Sequence, residues 1–295
     1  LCATMIPYTR KTLPNGLTVV VNRDRASKLA AVNILYRVGA RNENPARTGF
    51  AHLFEHLMFR GTRAVENFDL PVQMASGDNN AFTNNDYTDF YITLPKDNLE
   101  TALWLESDRM EGLDITPAKL EAEKKVVIEE FRQRYLNQPY GDQTMLLRAL
   151  AYKVHPYRWA AIGLATDHIA GATLADVESF YRAHYRPSNA ILSISADMEE
   201  ERMLELAEKW FAPLADHPSA TAAIPQEPMQ TQARRQEVER DVPASTVTVA
   251  YHMCARTKPD FYTADLVSDL LSGGDSGRLY THLVKERNLL SSVNA

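Results

Sequence analysis

The chain has 295 residues, of which 45% are hydrophobic, enough for a large buried core and for one large or two medium domains. Its 32 basic and 38 acidic residues give a net charge of −6, and no basic block is long enough to follow a phosphate backbone. We therefore expect no nucleic-acid partner. No run of about 18 apolar residues occurs, so we expect no membrane span. The protein is expected to be soluble, and the composition leaves its location open between the periplasm and the cytoplasm.

The first predicted elements are strands followed by a helix. A turn signal at 13–16 precedes the β-rich residues 17–22, and apolar residues dominate again at 30–38. At 48–59 the apolar residues recur at helical spacing. Residues 77–94 alternate and are rich in Thr, Tyr and Phe, which is typical of strand and turn.

Helices dominate the next part of the chain. One begins at Thr116, which supplies the N-cap before Pro117 at the first helical position. The periodicity of the apolar residues predicts further helices at 99–110, 142–152, 174–184 and 199–211, and a strand at 190–196. Strands followed by runs of helices predict an α+β fold, with a mostly antiparallel sheet and helices packed on one face.

The remaining residues predict a second domain. Residues 216–230 contain three prolines and no periodicity, so we interpret them as a linker. A strand at 247–253 and a helix at 262–271 repeat the strand–helix order of the first domain. We therefore predict two homologous domains, 1–215 and 231–295, the second incomplete and without a metal motif. The chain is accordingly expected to be a fragment of a longer polypeptide.

A short motif in the helix at 48–59 carries the chemistry. His52 and His56 lie four residues apart, on one face of the helix, and Glu55 immediately precedes the second imidazole. Two neutral imidazoles at this spacing can bind one Zn²⁺. The alternative is a chance cluster that binds no metal, because short motifs also occur by accident.

A catalytic zinc needs a third protein ligand and an open position for water. The helix from Thr116 offers four carboxylates, which are Glu121, Glu123, Glu129 and Glu130. A helical wheel aligned on the apolar residues places Glu123 and Glu130 at the edge of the buried stripe and turns Glu129 to water. The pattern favours Glu130 and Glu123 as the residues that face the histidines.

These motifs resemble the pitrilysin/insulysin family of inverzincin metalloproteases, which includes the mitochondrial processing peptidase and whose pattern is H-x-x-E-H followed by a distant glutamate. In that family two glutamates lie seven residues apart on one helix, as Glu123 and Glu130 do here. Bacterial members similar to the processing peptidase are the expected relatives. The resemblance extends over nearly the whole chain, since the matching segments are 13–17, 39–41, 49–51, 80–83, 155–157, 273–274 and 276–279.

The resemblance implies a zinc endopeptidase that hydrolyses peptides or small unfolded proteins bound in extended form. It implies one Zn²⁺ per catalytic domain, held by His52, His56 and Glu130, with a zinc-bound water as nucleophile. Glu55 would be the general base. Glu123 would orient the ligands or the water without binding the metal.

The resemblance also implies a substrate site and a partner. Asn80, Ala81, Phe82 and Thr83 match an edge strand to which an extended peptide is added, although residues 79–80 also fit a simple turn before a strand. Family members enclose substrate between two homologous halves, so a homodimer or a heterodimer with a homologous subunit is expected. Two alternatives remain: a non-catalytic homologue, and a metal- or peptide-binding subunit that assembles with an active partner.

Overall fold

A six-stranded sheet is the centre of the computed structural model, which describes residues 6–217 and 223–295. Its order is β1-β2-β6-β3-β5-β4, and every neighbouring pair is antiparallel except β2 and β6, which are parallel. The strands are β1 (Thr9–Thr12), β2 (Thr18–Arg23), β3 (Leu29–Tyr36), β4 (Asp78–Thr83), β5 (Thr88–Pro95) and β6 (Ala190–Ala196). The predicted mostly antiparallel sheet is therefore confirmed.

One face of the sheet forms the core. Val21, Ile194, Val32 and Ile92 are in register across four strands, and each is at most 2% exposed. A second buried row, two residues along, is formed by Val19, Leu192, Ile34 and Phe90. Successive side chains of a strand point to opposite faces, so these two rows define a single apolar face. Residues between them, such as Tyr91, are more exposed.

The described helices are α1 (Phe50–Leu57), α2 (Asp69–Met74), α3 (Leu99–Glu111), α4 (Pro117–Phe131), α5 (Gln143–Ala151), α6 (Thr166–Ala170), α7 (Leu174–His184), α8 (Glu200–Phe211) and α9 (Asp260–Ser272). Of these, α1, α3 and α8 pack against strands of the sheet, and α4 packs against α1. The α+β fold predicted from the sequence is confirmed. Among the described residues, no helix combines the length and the apolar composition that a membrane crossing requires.

Residues 223–245, which we call the strap, run beside α5 in the opposite direction. The Glu227 carboxylate accepts hydrogen bonds from three consecutive backbone N–H groups, at residues 153–155. Arg234 donates to the carbonyl oxygens of residues 150 and 151 at the end of α5, and Arg240 donates to Asp142 just before its start. The strap is therefore attached at both ends of α5.

The chain divides into two compact units, Leu1–Ser245 and Thr246–Ala295. The second unit contains α9 and a π-helical turn at Tyr280–Glu286. The strand predicted at 247–253 is wrong, because none of these residues is in a strand although all are described. A β-rich sequence forms a strand only beside a pairing partner, and the described strands pair among themselves. Of the predicted linker, residues 218–222 lie outside the described residues, and the domain boundaries remain a prediction.

Candidate metal centre

The helix that carries both histidines begins at a glycine. Gly49 has φ 90°, a left-handed conformation that favours glycine, and a Cβ there would lie 2.8 Å from the carbonyl oxygen of Ile162. Glycine has no side chain that could cap the helix, so the buried Glu43 carboxylate does so instead, accepting hydrogen bonds of 2.9 Å from the N–H groups of Gly49 and Ala51. This contact fixes the first turn of α1, on which His52 lies.

The second contributing helix is α4, which packs against α1. Its N-cap is Thr116, whose Oγ1 accepts from the Lys119 N–H at 3.2 Å, as the sequence predicts. Leu120, Val127 and Phe131 are at most 5% exposed and form its buried stripe. Because this stripe faces the core, Glu123 and Glu130 are turned towards α1.

The three predicted metal ligands, His52, His56 and Glu130, come together between these helices. The Nε2 atoms of His52 and His56 lie 3.6 and 3.3 Å from Oε2 of Glu130. One donor atom from each residue lies within 4.8 Å of the other two. Glu129, the neighbour of Glu130, is instead exposed and pairs with Arg132. The wheel argument and the structure agree on which of the two adjacent glutamates faces the histidines.

The donor set fits a zinc ion. Two ligands of a tetrahedral Zn²⁺, each about 2.0 to 2.1 Å from the metal, lie roughly 3.4 Å apart, close to the two distances to Glu130. Two imidazoles and one carboxylate are also the ligand types of catalytic zinc sites. His52 is 8% exposed, and its Nδ1 atom is buried without a hydrogen-bond partner among the described residues.

Two further carboxylates surround the histidines. Glu123 is 1% exposed, and its Oε2 lies 3.4 Å from Nδ1 of His56, on the side of the ring opposite Glu130. Glu55 is half-buried beside the histidines, close enough to the Thr83 hydroxyl for that group to oppose the rise of its pKa. The site therefore contains a ligand set, a carboxylate that contacts one ligand, and a carboxylate that contacts the strand β4.

The surroundings shift the proton affinities of these groups in opposite directions. Burial lowers the pKa of His52 to about 4, against the opposing effect of the Glu130 carboxylate. Burial also opposes protonation of His56, but the carboxylates of Glu123 and Glu130 outweigh it and raise its pKa to about 9. The hydrogen bond with His56 holds the pKa of Glu130 below its usual value, and burial raises that of Glu55.

Comparison with known proteins places this site in a family. A family model described as "Insulinase (Peptidase family M16)" matches residues 18–160, and one described as "Peptidase M16 inactive domain" matches residues 171–295. The crystal structure of a protease from Helicobacter pylori superposes with a TM-score of 0.88 at 32% identity, covering 98% of this chain and 70% of that one. The chain belongs to the M16 peptidase family. This confirms the resemblance inferred from the motifs.

Two curated M16 relatives are named as proteases. "Zinc protease PqqE" of Helicobacter pylori is 35% identical over 288 residues, or 96% of this chain. "Probable mitochondrial-processing peptidase subunit beta, mitochondrial" of Arabidopsis thaliana is 26% identical over 261 residues, or 86% of this chain. The chain spans 65% of the length of the first relative and 48% of the second. These relatives support a zinc-peptidase function in broad terms.

The strand predicted to bind substrate lies at an edge of the M16 sheet. Among the described strands, β4 pairs only with β5, so its other side is unpaired. Along β4, Asn80 and the 43%-exposed Phe82 alternate with the less exposed Ala81 and Thr83. Since β4 packs against α1 and Thr83 contacts Glu55, this edge runs directly beside the histidines.

Sequence reasoning missed three residues around this M16 site. Glu43 caps α1 from six residues before Gly49, a distance at which no local motif operates. Arg60 contacts Glu123, and it also lacks a sequence signal. Arg134 lies 2.9 Å from Glu130 at the i,i+4 spacing, so the helical pairing rule could have found it.

Proposed function

We propose that this chain supplies the zinc-binding half of an endopeptidase that hydrolyses peptides or small unfolded proteins bound in extended form. The observation that carries the proposal is the convergence of His52, His56 and Glu130 from two helices, with the half-buried Glu55 beside them. The M16 relatives named as zinc proteases support the same reaction class. The predicted first domain, residues 1–215, would contain the whole metal site.

His52 and His56, through Nε2, and Glu130, through Oε2, would hold the zinc ion. When bound, zinc would supply Lewis-acid chemistry, lowering the pKa of water and polarising a peptide carbonyl. Glu123 would hold the Nδ1–H of His56, so that the ring keeps one orientation and presents Nε2. Both histidines must be neutral to act as ligands.

Glu55 would be the proton carrier. Its carboxylate would take a proton from the attacking water and return it to the leaving amine. Burial raises the pKa of Glu55, which suits a group that must both accept and release a proton near neutral pH. The Thr83 hydroxyl would hold this carboxylate towards the strand where the peptide lies.

The unpaired side of β4 would bind the peptide backbone. An extended peptide added to an edge strand gains main-chain hydrogen bonds while its alternate side chains meet the protein surface. Asn80, Ala81, Phe82 and Thr83 would form this contact. A homologous half, in a homodimer or a heterodimer, would complete the enclosure, and the Arabidopsis relative is named as a subunit.

A pair of substitutions tests the proposal. With zinc added, Glu55→Gln should bind the metal as the wild type does but cleave a quenched fluorogenic peptide 10²- to 10⁴-fold more slowly, the usual contribution of a general base. His56→Ala should lose both zinc and activity. Full activity in Glu55→Gln would rule out the proton-carrier role, and cleavage that persists in a chelator would rule out the metal.

A second candidate function is a metal- or peptide-binding subunit without turnover of its own. The observation that favours this candidate is the match of residues 171–295 to a family model described as an inactive domain. The same assay separates the two functions. A wild type that binds one zinc and binds peptide, but cleaves nothing even with its homologous half present, would support this alternative over the endopeptidase.

A further inference from the structure

Each of the two carboxylates that contact the histidines also forms an ion pair with an arginine, through its other oxygen. In Glu130, Oε2 faces the two imidazoles while Oε1 lies 2.9 Å from Nη1 of Arg134. In Glu123, Oε2 faces Nδ1 of His56 while Oε1 accepts from Arg60. The two carboxylates therefore use their oxygens in the same way, with one towards the imidazoles and one towards a guanidinium.

The backbone that carries Arg134 has a special geometry. The helix α4 ends at Phe131 and continues as a π-helical turn, Arg132–Leu136. Such π turns are rare and frequently lie at functional sites. Here the turn carries Arg134 at the i,i+4 position from Glu130, where its guanidinium meets Oε1.

Arg60 acts from the loop that follows α1. Its Nε and Nη2 both contact Oε1 of Glu123, whose side chain is 2% exposed. A buried carboxylate with a cation on one oxygen is fixed in position, and its second oxygen is available for His56. The Arg134 side chain is 67% exposed, so its ion pair with Glu130 adds little to folding. The Arg60 side chain is 52% exposed, but it compensates the charge of the buried Glu123.

We propose that Arg60 and Arg134 are positioning residues of the metal site, which fix the orientation of the Glu123 and Glu130 carboxylates towards the histidines. The inference rests on the proposed zinc-binding function. Without Arg134, the Glu130 carboxylate could turn away from the histidines, so the ligand set would be less preorganised. Groups that hydrogen-bond metal ligands commonly contribute about 10- to 100-fold in metal affinity.

The test measures zinc affinity directly, by competition with a fluorescent chelator, and does not depend on turnover. Arg134→Met and Arg60→Met should each weaken zinc binding by about 10-fold. The matched controls are Arg132→Met, on the same π turn but paired with Glu129, and Arg63→Met, an exposed arginine near Arg60. Both controls make the same charge change and should bind zinc like the wild type.

Two further readouts distinguish positioning from a general loss of structure. Arg134→Lys should recover most of the affinity, because one N–H donor suffices for the single contact to Oε1. The visible spectrum of the cobalt-substituted protein should change in Arg134→Met and not in Arg132→Met, while the unfolding temperature stays the same in both. Spectra that are identical in the two variants would contradict the inference.

The outcomes separate this inference from the proposed function. If the wild type binds zinc and His56→Ala does not, but Arg134→Met and Arg60→Met bind as tightly as their controls, the positioning role is wrong and the zinc site stands. If the wild type binds no zinc, or His56→Ala binds it normally, the proposed zinc site itself fails and the positioning role with it.

Discussion

The imidazole of His56 contacts a carboxylate through each of its nitrogens, Glu123 at Nδ1 and Glu130 at Nε2. A zinc ligand in this position would use Nε2 and donate its Nδ1–H to Glu123, which is the usual arrangement behind a ligating histidine. The H-x-x-E-H spacing predicts that the two rings share a helix face. Only the packing of α4 determines which carboxylates meet them.

Glu43 is a second case where a single residue acts through tertiary contacts. Its carboxylate also accepts a hydrogen bond from Trp159 Nε1, at 3.2 Å, in addition to the two from α1. Burial raises the pKa of Glu43 to about 8 against the opposing effect of these N–H donors. Nothing in the local sequence distinguishes it from an exposed glutamate, because its partners lie 6, 8 and 116 positions away.

We expect His184 to make the protein acid-sensitive. Burial, then Arg186, lowers the pKa of His184 to about 4 against about 6.5 when unfolded, so the unfolded state binds more protons between these values. The stability that the neutral His184 provides should be fully present above pH 6.5 and should fall progressively as the pH drops towards 4. Between pH 7 and pH 5, the free energy of unfolding measured in urea should fall by roughly 1–2 kcal/mol less in His184→Gln than in the wild type. Equal losses would contradict the assignment.

At the scale of elements, short local signals predicted the helices well. The N-cap at Thr116 and the apolar spacing of α4 appear in the structure as predicted. The π turn after α4 and the strap along α5 were not predicted. A π turn depends on how a helix end packs. The position of the strap depends on its own side chains, which bind backbone groups more than 70 positions away.

We expect Glu227 to hold the strap on α5. Three backbone N–H groups outweigh burial and lower the pKa of Glu227 to about 2, so the carboxylate is ionised at all ordinary pH values. Glu227→Ala should release the strap and increase the rate of trypsin cleavage after Arg234 and Arg235 several-fold. The exposed Glu239 of the same segment provides the control, and Glu239→Ala should be cleaved at the wild-type rate. Equal cleavage of both variants would show that Glu227 is not the anchor.

At the scale of the whole molecule, the metal site and the sheet belong to one compact unit, Leu1–Ser245. Both helices of the site, the strand β4 and the strap lie within it. The second unit, Thr246–Ala295, has α9 but no strand among its residues, all of which are described. Zinc binding should therefore require only the first unit.

A chain ending at Ser245 should fold and bind zinc. We expect its zinc affinity to match that of the 295-residue chain, and zinc at 100 times its Kd should stabilise both by about 2.7 kcal/mol. Thermal unfolding followed by circular dichroism, with zinc and with a chelator, measures this shift. A shortened chain that is unfolded, or that gains no stability from zinc, would contradict the prediction.

The sequence by itself determined the α+β class, most helix positions, and the pairing of His52 with His56, because periodicity and i,i+4 spacing are local properties. It also singled out Glu123 and Glu130, because both flank the apolar stripe of one helix. Only the tertiary structure decided that Glu43 caps α1, that Arg60 holds Glu123, and that residues 247–253 form no strand. These features depend on contacts between distant parts of the chain, which no local pattern encodes.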